Sequence, residues 1–121
     1  MDASDYQREA STFASYGENP MYPVLGLAEE AGEVCGKIAK FIRKHDGISP
    51  VHAMRAFPNT LGDRAQQCKE DVSKELGDVC WMVAMIAYEF GLDLGEIMEQ
   101  NIQKLTDRKN RGVIVGEGDD R

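Results

Sequence analysis

Two acidic pairs constrain the fold of this chain more than any other feature. Glu30 and Glu33 lie in residues 26–34 (GLAEEAGEV), and Glu75 and Asp78 in residues 74–79 (KELGDV). On a helix, a spacing of three places both carboxylates of a pair on one face, a turn apart. Each pair also borders an apolar stripe, so packing the two stripes together draws four carboxylates to one seam. Such a seam repels itself unless a cation offsets the charge. Oxygen-only donors on a rigid helical frame favour a hard ion, Mg²⁺ or Mn²⁺ as substitute. The pattern therefore predicts an all-α chain whose acids hold a divalent ion, and through it a polyphosphate.

The rest of the chain supplies helices to build that seam. Residues 5–16 form a first helix capped at Ser4, with Tyr6, Ala10 and Phe13 at helical spacing and Gly17 closing it. A second helix runs from about Pro23 to Lys44, with Leu27, Ala31, Val34, Ile38 and Phe41 or Ile42 as its core stripe. Gly32 and Gly36 weaken that helix, which close approach of a neighbour would explain. Residues 45–67 break the pattern with Gly47, Pro50, Pro58 and Gly62, and read as an inserted loop with a short helix over residues 51–57. The third helix, residues 68–90, carries Val72, Leu76, Val79, Val83, Ile86 and Phe90 in register; it is apolar on several faces, as a subunit contact would require. Asp93 caps a fourth helix to Lys109, with Leu94, Ile97, Met98, Ile102 and Leu105 towards the core. Asn101, Lys104 and Arg108 make a separate polar stripe on it. Residues 111–121 are an irregular, Gly-rich tail in which residues 113–115 read as a short extended piece. The expectation is one domain over residues 1–121, four-helix-bundle-like and oligomeric.

Composition closes off several functions. The chain has 121 residues and a net charge of −7, which argues against a basic nucleic-acid-binding surface. An acidic protein that handles phosphate esters does so through a metal. The three cysteines, Cys35, Cys68 and Cys80, form no CxxC pair and read as reduced, small hydrophobes in a cytoplasmic protein. The N-terminal stretch lacks the basic start and apolar core of a signal peptide. The longest apolar run, residues 79–88, is too short to span a membrane.

The same residues admit other readings. Acids on a helix are commonly a solvated face, but the second pair is embedded in an apolar stretch, where unpaired carboxylates are rare. A di-iron carboxylate bundle needs Glu-x-x-His on two helices, and neither His45 nor His52 has an acid three residues before it. His45-Asp46 alone does not make a His-Asp phosphohydrolase site. The stripe Asn101, Lys104 and Arg108 is a charged face taken alone; beside the acids it suits phosphate contact. Phe41 and Trp81 are candidates to stack a base, although rings at core spacing are usually core. A non-catalytic helical interaction module and a metal-dependent phosphohydrolase releasing orthophosphate remain open.

Taken together these segments resemble a known family. Glu29-Glu30-Ala31-Gly32-Glu33 with Glu75-Leu76-Gly77-Asp78 is similar to the EExxE…ExxD signature of the MazG-like nucleoside triphosphate pyrophosphohydrolases. Tyr6-Gln7 resembles that family's opening helix, and Asn101-Ile102-Gln103-Lys104-Leu105 its Asn-x-x-Lys-Leu segment. The tail, Arg111-Gly112 through Asp120-Arg121, is similar to that of short stand-alone phage members, which would work in the host cytoplasm. The resemblance implies an all-α homodimer or homotetramer that cleaves an NTP or dNTP to the monophosphate and pyrophosphate with Mg²⁺. It implies Glu30, Glu33, Glu75 and Asp78 as metal ligands and Lys104 and Arg108 as phosphate contacts. The mechanism expected is in-line attack at the α-phosphorus by a water the metal activates, with Glu29 or Glu33 accepting its proton. Tyr22 and Met82 stand where relatives often carry Asn and Tyr, and the loop between the acid pairs is long, so the base preference does not transfer.

Overall fold

The computed structural model describes residues 1–121 as helices and turns without a strand. The helices are α1 (Ala3–Ser11), α2 (Tyr22–Lys44), α3 (Pro50–Ala56), α4 (Gly62–Glu89) and α5 (Leu94–Asn110). The all-α expectation is met, and α3 is a fifth helix close to the short helix expected over residues 51–57.

The helix ends differ from expectation for local chemical reasons. α1 is capped by Asp2, whose side chain accepts from the Asp5 N–H at 2.8 Å, and not by Ser4. The Ser4 hydroxyl instead donates to Asp93 Oδ1 at 2.7 Å, tying the start of α1 to the cap of α5. α1 also stops at Ser11 and not at Tyr16. Ser11 and Thr12 turn their hydroxyls back on the carbonyls of Arg8 and Glu9, a local bond that competes with helix continuation. α4 begins at Gly62 and not at Cys68, because Ala65 and Cys68 already belong to its buried face. Residues 113–115 are not extended; Arg121 gathers the tail into turns by donating to the carbonyls of Val113 at 3.0 Å and Ile114 at 3.1 Å.

α2 and α4 form the principal pairing. They pack closely at Gly26, where a Cβ would lie 2.6 Å from the Met82 thioether. Gly32 and Gly36 face open space, so they are not the point of contact expected of them. Two apolar clusters flank the middle of the pair. At one end α1 and α5 pack on α4 through Ala10, Ala84, Met85 and Leu94, with Tyr6, Tyr16 and Trp81 around them. Gln7 locks this end: its amide N–H donates to the Leu92 carbonyl at 2.8 Å, and its oxygen accepts from the Leu94 N–H at 2.9 Å. At the other end α3 packs Ala53 against Phe41, Ala65 and Cys68.

Only 15 of the 121 residues are buried, and much of the predicted core is therefore at the surface of a single chain. Ala31, Leu76, Val83 and Phe90 are exposed, as are Ile97, Met98, Ile102 and Leu105 along α5. Cys35 and Cys80 are exposed as well, against their reading as packed hydrophobes; Cys68 alone fits it, and burial pushes its thiol pKa up.

Candidate metal and phosphate site

Between the two apolar clusters, α2 and α4 bring their acids together. Glu30 and Glu33 come from successive turns of α2, and Glu75 comes across from α4. One carboxylate oxygen from each lies within 4.8 Å of the others. Glu30 and Glu75 are half-buried and Glu33 is exposed, so the group is an open trough along the helix pair. Partial burial, then the neighbouring charges of Glu33, Asp78, Glu29 and Glu75, raise the Glu30 pKa above its ordinary value. The same carboxyl thus registers the field of every acid singled out from the sequence. A donor set of oxygen atoms alone, converging and mutually repelling, fits a hard divalent cation.

The four expected ligands are not equivalent. Asp78 is exposed and its oxygens fall outside the convergent group, although its charge reaches Glu30. Glu29 is likewise exposed beside the group. One cation already leans on the trough: Lys37 Nζ lies 3.7 Å from Glu75 Oε1.

The polar stripe of α5 stands elsewhere. α5 packs on α1 and touches α4 lightly, but it makes no contact with α2. Lys104 Nζ lies 3.2 Å from Asp119 Oδ1, and Arg108 lies 3.0 Å from the same oxygen. Arg108 is buried and Asn101 exposed. The Asp119 carboxyl is held below its ordinary pKa by its hydrogen bonds to Arg108 and then Lys104. Within one chain Lys104 and Arg108 are therefore closed on the tail, and Asn101 is open.

The two aromatic candidates are committed to packing. Phe41 is buried among the α3 cluster, its ring stacked 4.1 Å from that of His45. Trp81 donates its indole N–H to the Ala10 carbonyl at 3.2 Å and meets Tyr16 edge-on at 6.2 Å. Tyr16 in turn stacks on Tyr22 at 5.3 Å, so an aromatic-lined hollow opens beside Trp81. The Tyr16 hydroxyl donates to Glu89 at 2.5 Å; burial and that bond push its pKa up to about 12. Tyr16 and Tyr22 were not singled out from the sequence as a stacking pair, because the turn between them hides their proximity.

Sequence reasoning also missed a basic cleft of about 480 Å³ further along the same helix pair. Lys37, Lys40 and Lys44 line it from α2 and Arg64 from α4, with Asp71 the one acid. The Lys37, Lys40, Lys44 spacing is legible in α2; Arg64 was hidden because it fell in the stretch read as loop.

Comparison with known proteins matches residues 20–113 to the MazG nucleotide pyrophosphohydrolase domain. The chain is similar over its whole length to the whole of the Gene 37 protein of Mycobacterium phage L5, at 35% identity. It is 29% identical to the uncharacterized protein YvdC of Bacillus subtilis (strain 168), with 83% of each chain covered. No solved structure matches it.

Proposed function

Because the chain belongs to the MazG nucleotide pyrophosphohydrolase family, and is thus a hydrolase of nucleotide pyrophosphate bonds, we propose that its carboxylate trough cleaves a nucleoside triphosphate between the α- and β-phosphates. The products are the NMP or dNMP and pyrophosphate. The observation that carries this reading is the convergence of oxygens from Glu30, Glu33 and Glu75 within 4.8 Å.

In this proposal Glu30, Glu33 and Glu75 hold Mg²⁺, or Mn²⁺ in its place, and Asp78 completes the set from the next turn of α4. The ion, when bound, supplies charge neutralisation at the scissile phosphate and acidifies water. Glu29 and Glu33 are the exposed carboxylates at the rim, placed to take the proton from a water attacking the α-phosphorus in line. Lys37 offsets part of the negative charge that the trough and an incoming anion bring together. Asn101, Lys104 and Arg108 remain phosphate contacts in the proposal. Since α5 does not touch α2, they reach a polyphosphate only from a second copy and only once Asp119 gives them up. The exposed apolar residues Ile97, Met98, Ile102 and Leu105 support such a homodimer or homotetramer. No helix is long and apolar enough to cross a membrane, and a host-cell cytoplasm suits a phage-type enzyme of this kind.

A panel of NTPs and dNTPs incubated with Mg²⁺ tests the reading. Monophosphate and pyrophosphate in equal amounts are expected for at least one nucleotide. Orthophosphate as the sole phosphate product points to a terminal phosphohydrolase, and no product to a helical interaction module; either result overturns the proposal.

A further inference from the structure

The basic cleft between α2 and α4 is not used by the carboxylate chemistry. It concentrates cations in a chain that carries 21 acids against 14 lysines and arginines. Lys40, Lys44 and Arg64 have no carboxylate within ion-pairing distance, so their charge is available to a ligand. Part of their placement also runs against local stability, although Lys44, in the last turn of α2, is favoured by the helix dipole. Lys37, Lys40 and Lys44 repeat at three- and four-residue spacing, which sets like charges beside one another on the helix. Arg64 stands in the first turn of α4, where the helix dipole disfavours a cation. Phe41 and Cys68 floor the cleft, which keeps the cations from being fully solvated on every side.

The cleft also has a direction. Lys37 touches Glu75 at the edge of the trough, and it lies about 6 Å further along α2 than Glu33 at the usual helical rise. Lys40 and Lys44 continue the line away from the acids, with Arg64 facing them across the groove. A ligand lying in this groove meets the trough carboxylates at one end and the cations at the other, with Asp71 the one acid among them.

We infer that the cleft is a binding site for a di- or triphosphate group, gripped by Lys40, Lys44 and Arg64 and continuous with the trough through Lys37. The source of that group is either the tail of a nucleotide whose α-phosphate lies at the carboxylates, an assignment that rests on the function proposed above, or free pyrophosphate. Lysines supply point charges and Arg64 a planar fork to phosphate oxygens. At the usual rise Lys40 and Lys44 lie about 10 Å and about 16 Å beyond Glu33, farther than a triphosphate reaches from its α- to its γ-phosphate. The tail already has Lys104 and Arg108 in the function proposed above, so the free anion is favoured.

Calorimetric titration of inorganic tripolyphosphate into the metal-free full-length protein tests the site without any turnover. Wild type binds, and the triple variant Lys40→Ala, Lys44→Ala, Arg64→Ala binds at least about tenfold more weakly, the loss expected of three charge-assisted contacts. The charge-conserving variant Lys40→Arg, Lys44→Arg keeps affinity within about threefold, which shows that charge and not folding is read. Absence of binding to wild type, or equal binding by the triple variant, overturns the inference. Glu75→Gln separates this site from the hydrolase reading, since it keeps tripolyphosphate affinity whether or not turnover is found. Loss of that affinity in Glu75→Gln overturns a site built on the cations. In the hydrolase assay a raised KM of the triple variant assigns the cleft to the nucleotide tail. An unchanged KM with lost inhibition by pyrophosphate assigns it to the free anion.

Discussion

Two neighbouring stretches of α4 are made of one helix and do opposite work. From Met82 to Ala87 the side chains of Met82, Ala84, Met85 and Ala87 are buried; α1 and α5 close over Ala84 and Met85, and Met82 packs on Gly26 of α2. From Glu75 to Asp78 only Glu75 is half-buried, and Leu76, Gly77 and Asp78 are open to solvent. The first stretch gains its stability from packing. The second places like charges beside the half-buried Glu30, whose pKa is raised by burial first and by those neighbouring charges after it. Repulsion retained next to a well-packed core is the mark of a site that a ligand completes.

Substitutions in the two stretches should separate cleanly. Glu75→Gln is expected to lower kcat by about 100-fold or more, the scale of removing a ligand from a metal-assisted site. Its thermal midpoint should stay unchanged or rise, because a repelling charge is gone. A variant that keeps full activity removes Glu75 from the site. Met85→Ala, at a fully buried position, should behave in reverse. It is expected to cost about 2–5 kcal/mol in urea unfolding while the activity of the remaining folded protein is preserved. A loss below about 1 kcal/mol would show that the α1–α4–α5 cluster is not what holds this end together.

A smaller effect sharpens the comparison through pH. Because the folded Glu30 pKa lies above its unfolded value, the folded, metal-free protein binds a proton more readily than the unfolded chain in that range. Its contribution therefore opposes folding at neutral pH and is relieved as pH falls through the raised value. Added Mg²⁺ should raise the melting temperature most at neutral pH and progressively less as Glu30 protonates. Glu30→Gln should flatten that dependence. A magnesium effect independent of pH in the wild type would dissociate Glu30 from the ion.

Much of this arrangement was legible in the residues. The spacing of Glu30 and Glu33, and the placement of Glu75 in an apolar helix, were sufficient to foresee their meeting. Periodicity also identified α2 and α5 nearly to the residue, since Asp93 and the flanking turns punctuate them clearly. Other features depended on long-range contacts that periodicity does not carry. Local sequence suggests a cap at Ser4, whose actual bond to Asp93 spans the chain, and back-bonding by Ser11 and Thr12 ends α1 earlier than its apolar spacing suggests. The stripe of α5 was read towards the acids, yet its tail partner Asp119 lies in a segment without any periodic signal. Leu76, Val83 and Ile102 were counted as core because apolar spacing does not distinguish a core from a face that a second copy would cover.

The claim beneath all of this is that Glu30, Glu33 and Glu75 together hold one divalent ion. Titration of Mn²⁺ followed by electron paramagnetic resonance measures that directly, without substrate. The account predicts saturable binding to wild type that weakens at least about tenfold in both Glu30→Gln and Glu75→Gln. Equal Mn²⁺ binding by all three proteins would contradict it.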